Sequence, residues 1–105
     1  MPTYNKLVRD KIPEIIYESG KIADYYTAGQ DEYKISLYAK MKEELEEFAN
    51  DPCVEEAADM WEVFIAICKV HEISLSDVFN IADDKAADRG KFDKGIILKS
   101  VQDGP

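Results

Sequence analysis

Apolar positions recur at helical spacing along most of this chain, and the pattern predicts four helices. The first is predicted over residues 12–19, because Pro13 fits a first helical turn and Gly20 can end the helix. The second is predicted to run from an N-cap at Asp31 to about Asn50. Its core-facing stripe consists of Leu37, Met41, Leu45 and Phe48.

The dipeptide Asp51-Pro52 interrupts the helical pattern, and two further helices are predicted after it. Asp51 is the predicted N-cap of a third helix over residues 53–72, with Pro52 in its first turn. Ser74 or Ser76 opens the fourth helix, and Gly90 closes it.

The third helix has two apolar stripes, which is typical of a helix buried in a bundle or against another subunit. We therefore expect at least a homodimer, either a dimer or a tetramer, with this helix close to the interface. The stripes are Ala57, Trp61, Phe64 and Cys68, and Met60, Val63, Ile67 and Val70.

Two segments favour strands instead of helices. KIADYYTAG (residues 21–29) and GIILKSV (residues 95–101) contain β-branched or aromatic residues and a glycine, so a short two-stranded pairing is predicted. The predicted fold class is all-α: a four-helix, bundle-like domain with a minor two-stranded β element. Because no long linker interrupts the pattern, residues 1–105 are predicted to form a single domain.

Charge and cysteine content restrict the setting. The net charge of −9 argues against non-specific binding to nucleic acid or to an anionic membrane. No stretch approaches the roughly 18 apolar residues of a membrane span, and the N-terminus lacks an apolar signal core. Cys53 and Cys68 lack metal-binding or redox spacing, so free thiols and a cytoplasmic location are expected.

The acidic run of the second helix is not evenly exposed on the predicted helical wheel. Glu44 lies about 40° from Phe48 and intrudes on the apolar stripe, whereas Glu47 lies on its flank, roughly 100° away. Glu43 and Glu46 point away from the stripe. At least one carboxylate is therefore predicted to reach the core side of the helix.

The third helix continues this acidic pattern, because Glu56 and Asp59 lie in line with its second apolar stripe. Carboxylates that converge in a low dielectric repel one another and take up protons unless a cation is bound. Oxygen ligands at this spacing suit Mg²⁺ or Mn²⁺. The alternative is an ordinary solvated face on two Glu-rich helices. The predicted metal ligands are Glu44, Glu47, Glu56 and Asp59.

These motifs resemble a known family. The sequence E-E-x-x-E at residues 43–47, followed by E-x-x-D at residues 56–59, resembles the signature of MazG-type all-α nucleoside triphosphate pyrophosphohydrolases. This group includes dimeric dUTPases and phosphoribosyl-ATP pyrophosphohydrolases. The segments YNKLVRDKIPEII and KAADRGKFDKGIIL resemble a small, single-domain house-cleaning branch, so the resemblance covers about residues 4–99. Eight residues separate the two acidic motifs, fewer than in most of the superfamily.

The resemblance implies Mg²⁺-dependent hydrolysis of a nucleoside triphosphate between its α- and β-phosphates, giving the monophosphate and pyrophosphate. It implies the same four metal ligands, and it makes Glu43 and Glu44 the catalytic carboxylates. Glu43 is a candidate for activating water, and Glu55 is a second one. Phosphoribosyl-ATP is the second substrate that it allows. A different class also stays open, namely a non-catalytic helical adaptor. The substrate-binding residues that it implies are Lys85 and Arg89, and Arg9 and Lys6 near the N-terminus are further candidates for phosphate contact.

Overall fold

A computed structural model describes residues 5–105 of the chain. This part of the chain contains four α-helices, which confirms the predicted all-α class. They are α1 (Ile12–Glu18), α2 (Gln30–Asn50), α3 (Val54–Val70) and α4 (Leu75–Arg89). None of these helices is both long enough and apolar enough to cross a bilayer.

The connection between α2 and α3 differs in detail from the prediction. Asp51 ends α2, and its backbone N–H donates to the Glu47 carbonyl at 3.0 Å. The N-cap of α3 is therefore Cys53, which has an extended backbone and no side-chain cap hydrogen bond. Similarly, α2 begins after Gly29, so Asp31 lies inside its first turn. A carboxylate there still interacts favourably with the helix dipole.

The start and end of α4 follow the sequence signals. Ser74 is the N-cap, and its Oγ accepts a hydrogen bond from the backbone N–H of Asp77 at 3.4 Å. Gly90 ends the helix with a φ of +82°, a left-handed conformation that glycine adopts without steric strain. The predicted choice between Ser74 and Ser76 is thus resolved in favour of Ser74.

The predicted two-stranded element is not seen in residues 5–105. Residues 21–29 and 95–101 contain no regular secondary structure. At both ends of the first segment, the backbone forms hydrogen bonds with helical residues and not with another strand. The Lys21 N–H donates to the Ile16 carbonyl in α1, and the Gly29 carbonyl accepts from the Tyr33 N–H in α2. A β-prone composition does not make a strand without a paired backbone, because the ladder hydrogen bonds are then missing.

The chain divides into two compact units, Met1–Ile73 and Ser74–Pro105. In the first unit, α2 and α3 form an antiparallel hairpin joined by the three-residue turn 51–53. Within the described residues, the buried apolar side chains are Leu37 on α2 and Cys68 on α3. Tyr38 and His71 form a hydrogen bond and stack at the open end of the hairpin, which leaves the acidic residues near its closed end.

Candidate metal site

Three carboxylates converge near the closed end of the α2–α3 hairpin. Glu44 lies in the second half of α2, and Glu56 and Asp59 lie in the first two turns of α3. Because the turn between the helices is short and the helices are antiparallel, these positions face one another. One oxygen from each carboxylate lies within 4.8 Å of the others. We call Glu44, Glu56 and Asp59 the acidic cluster.

Glu44 is the most deeply placed member of the acidic cluster, with 6% of its surface exposed. Its Oε1 lies 3.3 Å from the Lys40 Nζ. Its Oε2 is buried and has no hydrogen-bond partner among residues 5–105. A buried oxygen in this state loses its hydration without compensation. A proton, a water or a cation at this oxygen would therefore lower the cost of its burial.

Glu56 has a second buried oxygen of this kind, although its side chain as a whole is only half-buried. Its Oε2 also lacks a hydrogen-bond partner within the described residues. Desolvation raises the pKa of Glu56 above its ordinary value, and the nearby carboxylates of Glu47, Asp59 and Glu44 raise this pKa further. The environment of Glu56 thus favours either a bound proton or a bound cation.

The donor set fits a hard divalent cation. All ligand atoms are carboxylate oxygens, which Mg²⁺ and Mn²⁺ prefer over nitrogen or sulfur. Two buried oxygens, Oε2 of Glu44 and Oε2 of Glu56, are not used for hydrogen bonds within residues 5–105. An exposed acidic face would leave such oxygens in water, whereas these two atoms are buried.

The segment before α1 reaches the same end of the hairpin with two cations. The Arg9 Nη2 lies 2.7 Å from Oδ1 of Asp59, and the Lys6 Nζ lies 2.9 Å from Oε1 of Glu43. The hydrogen bond from Lys6 is the main reason why the pKa of Glu43 is below its ordinary value. The same pair raises the pKa of Lys6. Both basic residues, predicted as phosphate contacts, are therefore paired with carboxylates here.

Lys40 is a third cation at the site, and the sequence analysis did not identify it. Its Nζ lies 3.4 Å from Oε2 of Glu43 and 3.3 Å from Oε1 of Glu44. These partners follow it by three and four residues on α2, the spacing at which helical side chains meet. The sequence pattern K-x-x-E-E at residues 40–44 therefore predicts both ion pairs.

The other predicted site residues occupy different positions. Glu47 is exposed and lies outside the acidic cluster, although its charge contributes to the raised pKa of Glu56. Lys85 and Arg89 are exposed on α4, four residues apart and therefore on one face of that helix. Of the four predicted metal ligands, the structure brings together Glu44, Glu56 and Asp59.

No protein-family model, curated protein or solved structure matches this chain. Its residues place three carboxylates together near one end of a helical hairpin, where three basic side chains pair with carboxylates.

Proposed function

We propose that this protein is a Mg²⁺-dependent nucleoside triphosphate pyrophosphohydrolase of the MazG type. The reaction cleaves the bond between the α- and β-phosphates and gives a nucleoside monophosphate and pyrophosphate; the proposed substrates are non-canonical nucleotides. The observation that carries the proposal is the buried, unpartnered Oε2 of Glu44 in a cluster of three carboxylates from two helices. The resemblance of the acidic motifs to this enzyme class supplies the reaction.

Glu44, Glu56 and Asp59 would hold the metal, and Glu47 is the proposed fourth ligand from its exposed position beside Glu56. Mg²⁺, or Mn²⁺ in its place, neutralises charge on the triphosphate and lowers the pKa of bound water when it is present. Oxygen ligands on two different helices would fix its position as long as the hairpin is folded. The fold of α2 on α3 is therefore a precondition of the proposed activity.

Glu43 is the proposed water-orienting carboxylate. Its pKa is lowered by the hydrogen bond from Lys6, so it is ionised at neutral pH and can accept a hydrogen bond from an attacking water. It lies next to Glu44 in the sequence and shares the Lys40 ammonium with it. Lys40 would thus keep two adjacent carboxylates in defined positions.

Four basic residues are proposed to bind the triphosphate. Lys6 forms an ion pair with Glu43, and Arg9 forms one with Asp59, so both cations lie beside the carboxylates. We assign Lys85 and Arg89 to triphosphate binding on the resemblance alone. Cations in these roles would balance the charge of the transferring group.

The test is Mg²⁺-dependent pyrophosphate release from a panel of canonical nucleotides, damaged nucleotides and phosphoribosyl-ATP. Glu56→Gln should reduce release by about 100-fold or more, because an amide is a poor ligand for a hard cation. Glu46→Gln is the matched control: it removes the same charge from an exposed position on α2 and should keep the wild-type rate.

Full activity in Glu56→Gln would contradict the proposed site. Inertness of the wild type across the whole panel, with an intact helical fold, would instead favour the non-catalytic adaptor. Activity restricted to phosphoribosyl-ATP would keep the reaction type and replace the substrate. The three results therefore test the site, the class of function and the substrate separately.

We also propose that the protein forms at least a dimer, as a dimer or a tetramer, with α3 near the interface. Within residues 5–105, the apolar side chains of Leu37 and Cys68 are buried, whereas Leu45 on α2 is 53% exposed and Val54 on α3 is 84% exposed. Covering such surface is favourable. Light scattering at micromolar concentration should give at least twice the mass of one chain, and a monomer would refute the proposal.

The cytoplasm is the proposed location. Cys53 and Cys68 are both free, and Cys53 is also exposed. Exposed free thiols persist in a reducing compartment, whereas an oxidising one converts them to disulfides.

A further inference from the structure

One carboxylate of the acidic cluster is already paired with a cation of the chain itself. The Arg9 Nη2 lies 2.7 Å from Oδ1 of Asp59, although the two residues are fifty positions apart in the sequence. Asp59 is also one of the three residues whose carboxylate oxygens converge within 4.8 Å. A divalent cation and the Arg9 guanidinium would therefore compete for the same carboxylate.

Arg9 differs from the other two cations at this end of the hairpin. Lys40 is 18% exposed and is held by helical spacing beside Glu43 and Glu44. Lys6 pairs with Glu43, which is not a member of the acidic cluster. Arg9 is 57% exposed and belongs to the non-helical segment before α1, so its side chain can leave Asp59 without disturbing a helix.

We propose that Arg9 is an exchangeable counter-cation of the metal site. It neutralises Asp59 while no metal is present, yields this carboxylate to the incoming divalent cation, and then binds the phosphate oxygens of the anionic ligand. A guanidinium suits both positions, because its planar array of donors matches carboxylate and phosphate alike. This inference deepens the proposed function and rests on it.

The exchange predicts effects of opposite sign in one variant. In Arg9→Gln, Mg²⁺ alone should bind about threefold more tightly, the size expected when a partly exposed ion pair no longer competes. Inorganic pyrophosphate should bind the Mg²⁺-saturated variant about tenfold more weakly, because a charge-assisted hydrogen bond is lost. If Arg9 only supported the fold, both affinities would fall together. Arg9→Lys should restore part of the pyrophosphate affinity.

The measurement is isothermal titration calorimetry on the full chain, first with Mg²⁺ and then with inorganic pyrophosphate at saturating Mg²⁺. Lys11→Gln is the matched control, since Lys11 lies two residues further along and forms no ion pair within residues 5–105. This control should leave both affinities within about twofold of the wild type, as expected for an exposed, solvent-screened charge. Circular dichroism would establish that each variant is folded.

The outcomes separate this inference from the function on which it rests. A wild type that binds no Mg²⁺ overturns both. A wild type that binds Mg²⁺ and releases pyrophosphate, together with an Arg9→Gln variant that behaves like Lys11→Gln, overturns the exchange alone. Weaker Mg²⁺ binding in Arg9→Gln also overturns it, because Arg9 would then position Asp59 for the metal and not compete with it.

Discussion

Glu44 allows a direct test of whether the acidic cluster is maintained at the expense of stability. Glu44→Met keeps a side chain of similar length and removes the carboxylate. We expect the metal-free variant to be more stable than the wild type, because the wild type buries Oε2 without a partner in the described residues. We also expect the variant to lose most of the stabilisation that Mg²⁺ provides.

The magnitude follows from two contacts of Glu44. An unsatisfied buried polar atom costs about 1–3 kcal/mol. The pair between Oε1 and the Lys40 Nζ at 3.3 Å offsets about 0.2–1 kcal/mol of this cost. The net gain is about 1–2 kcal/mol, and each kcal/mol raises the Tm by roughly 4–8 °C in a protein of this size. Mg²⁺ at 100 times its Kd would stabilise the wild type by about 2.7 kcal/mol.

The assay is urea unfolding followed by the fluorescence of Trp61. This residue is the only tryptophan of the chain and lies on α3, so its signal reports on the hairpin that carries the site. Unfolding is measured in EDTA and again in saturating Mg²⁺. Glu46→Met is the matched control, because Glu46 is exposed on the same helix and its change should stay within about 0.5 kcal/mol.

Two results would refute this reasoning. If Glu44→Met is less stable than the wild type in EDTA, then burial of Oε2 does not carry the expected cost. If Mg²⁺ stabilises Glu44→Met as much as the wild type, then Glu44 is not a metal ligand. A large effect in Glu46→Met would show that the loss of helix charge, and not burial, controls the stability.

Two further predictions concern pH and capping. The pKa of Glu56 is raised above its ordinary value of 4.5, so Glu56 keeps its proton to a higher pH in the folded protein than in the unfolded chain. The stability of the metal-free wild type should therefore fall as pH rises from 4.5 through the raised pKa. Glu43 has the opposite effect on stability, because its pKa is lowered in the folded protein. Its contribution to the free energy of unfolding is lost as pH falls through that lowered pKa. Urea midpoints of the wild type and Glu56→Gln should therefore diverge above pH 4.5 in EDTA, and parallel curves would contradict the assignment. Ser74→Ala should destabilise α4 by about 0.5 kcal/mol, at the low end for an N-cap because its bond to the Asp77 N–H is long at 3.4 Å. Thermal unfolding followed by circular dichroism should show this loss for Ser74→Ala and no loss for Ser76→Ala; equal midpoints would argue that the cap is not formed.

Helices and part of their burial were predictable because they depend on local spacing. The wheel placed Glu44 beside Phe48, and Glu44 is indeed buried. The same wheel placed Leu45 in the core, yet Leu45 is 53% exposed, because α3 covers one side of α2 and not the whole stripe. The helix starts were less predictable: Asp51 is a good N-cap by type but is used to end α2. Which element uses a residue depends on backbone geometry that composition does not determine.

The site was predictable where its residues are near in sequence. Glu44, Glu56 and Asp59 could be placed together from helical phase and a short turn, and Lys40 could have been added from its spacing to Glu43. The contact between Arg9 and Asp59 could not be predicted in this way. It depends on how the segment before α1 lies against the hairpin, which no local pattern encodes.

The position of the acidic cluster beside a short turn has a consequence for folding kinetics. Glu44 and Asp59 are fifteen residues apart, so closing the hairpin assembles all three carboxylates at a small loop-closure entropy. The long-range pair between Arg9 and Asp59 requires a much larger loop. We therefore expect the carboxylates to meet first, in the folding transition state, and to repel one another there. Mg²⁺ should then accelerate folding more than it slows unfolding. The cation would in that case stabilise the folding transition state as well as the folded protein.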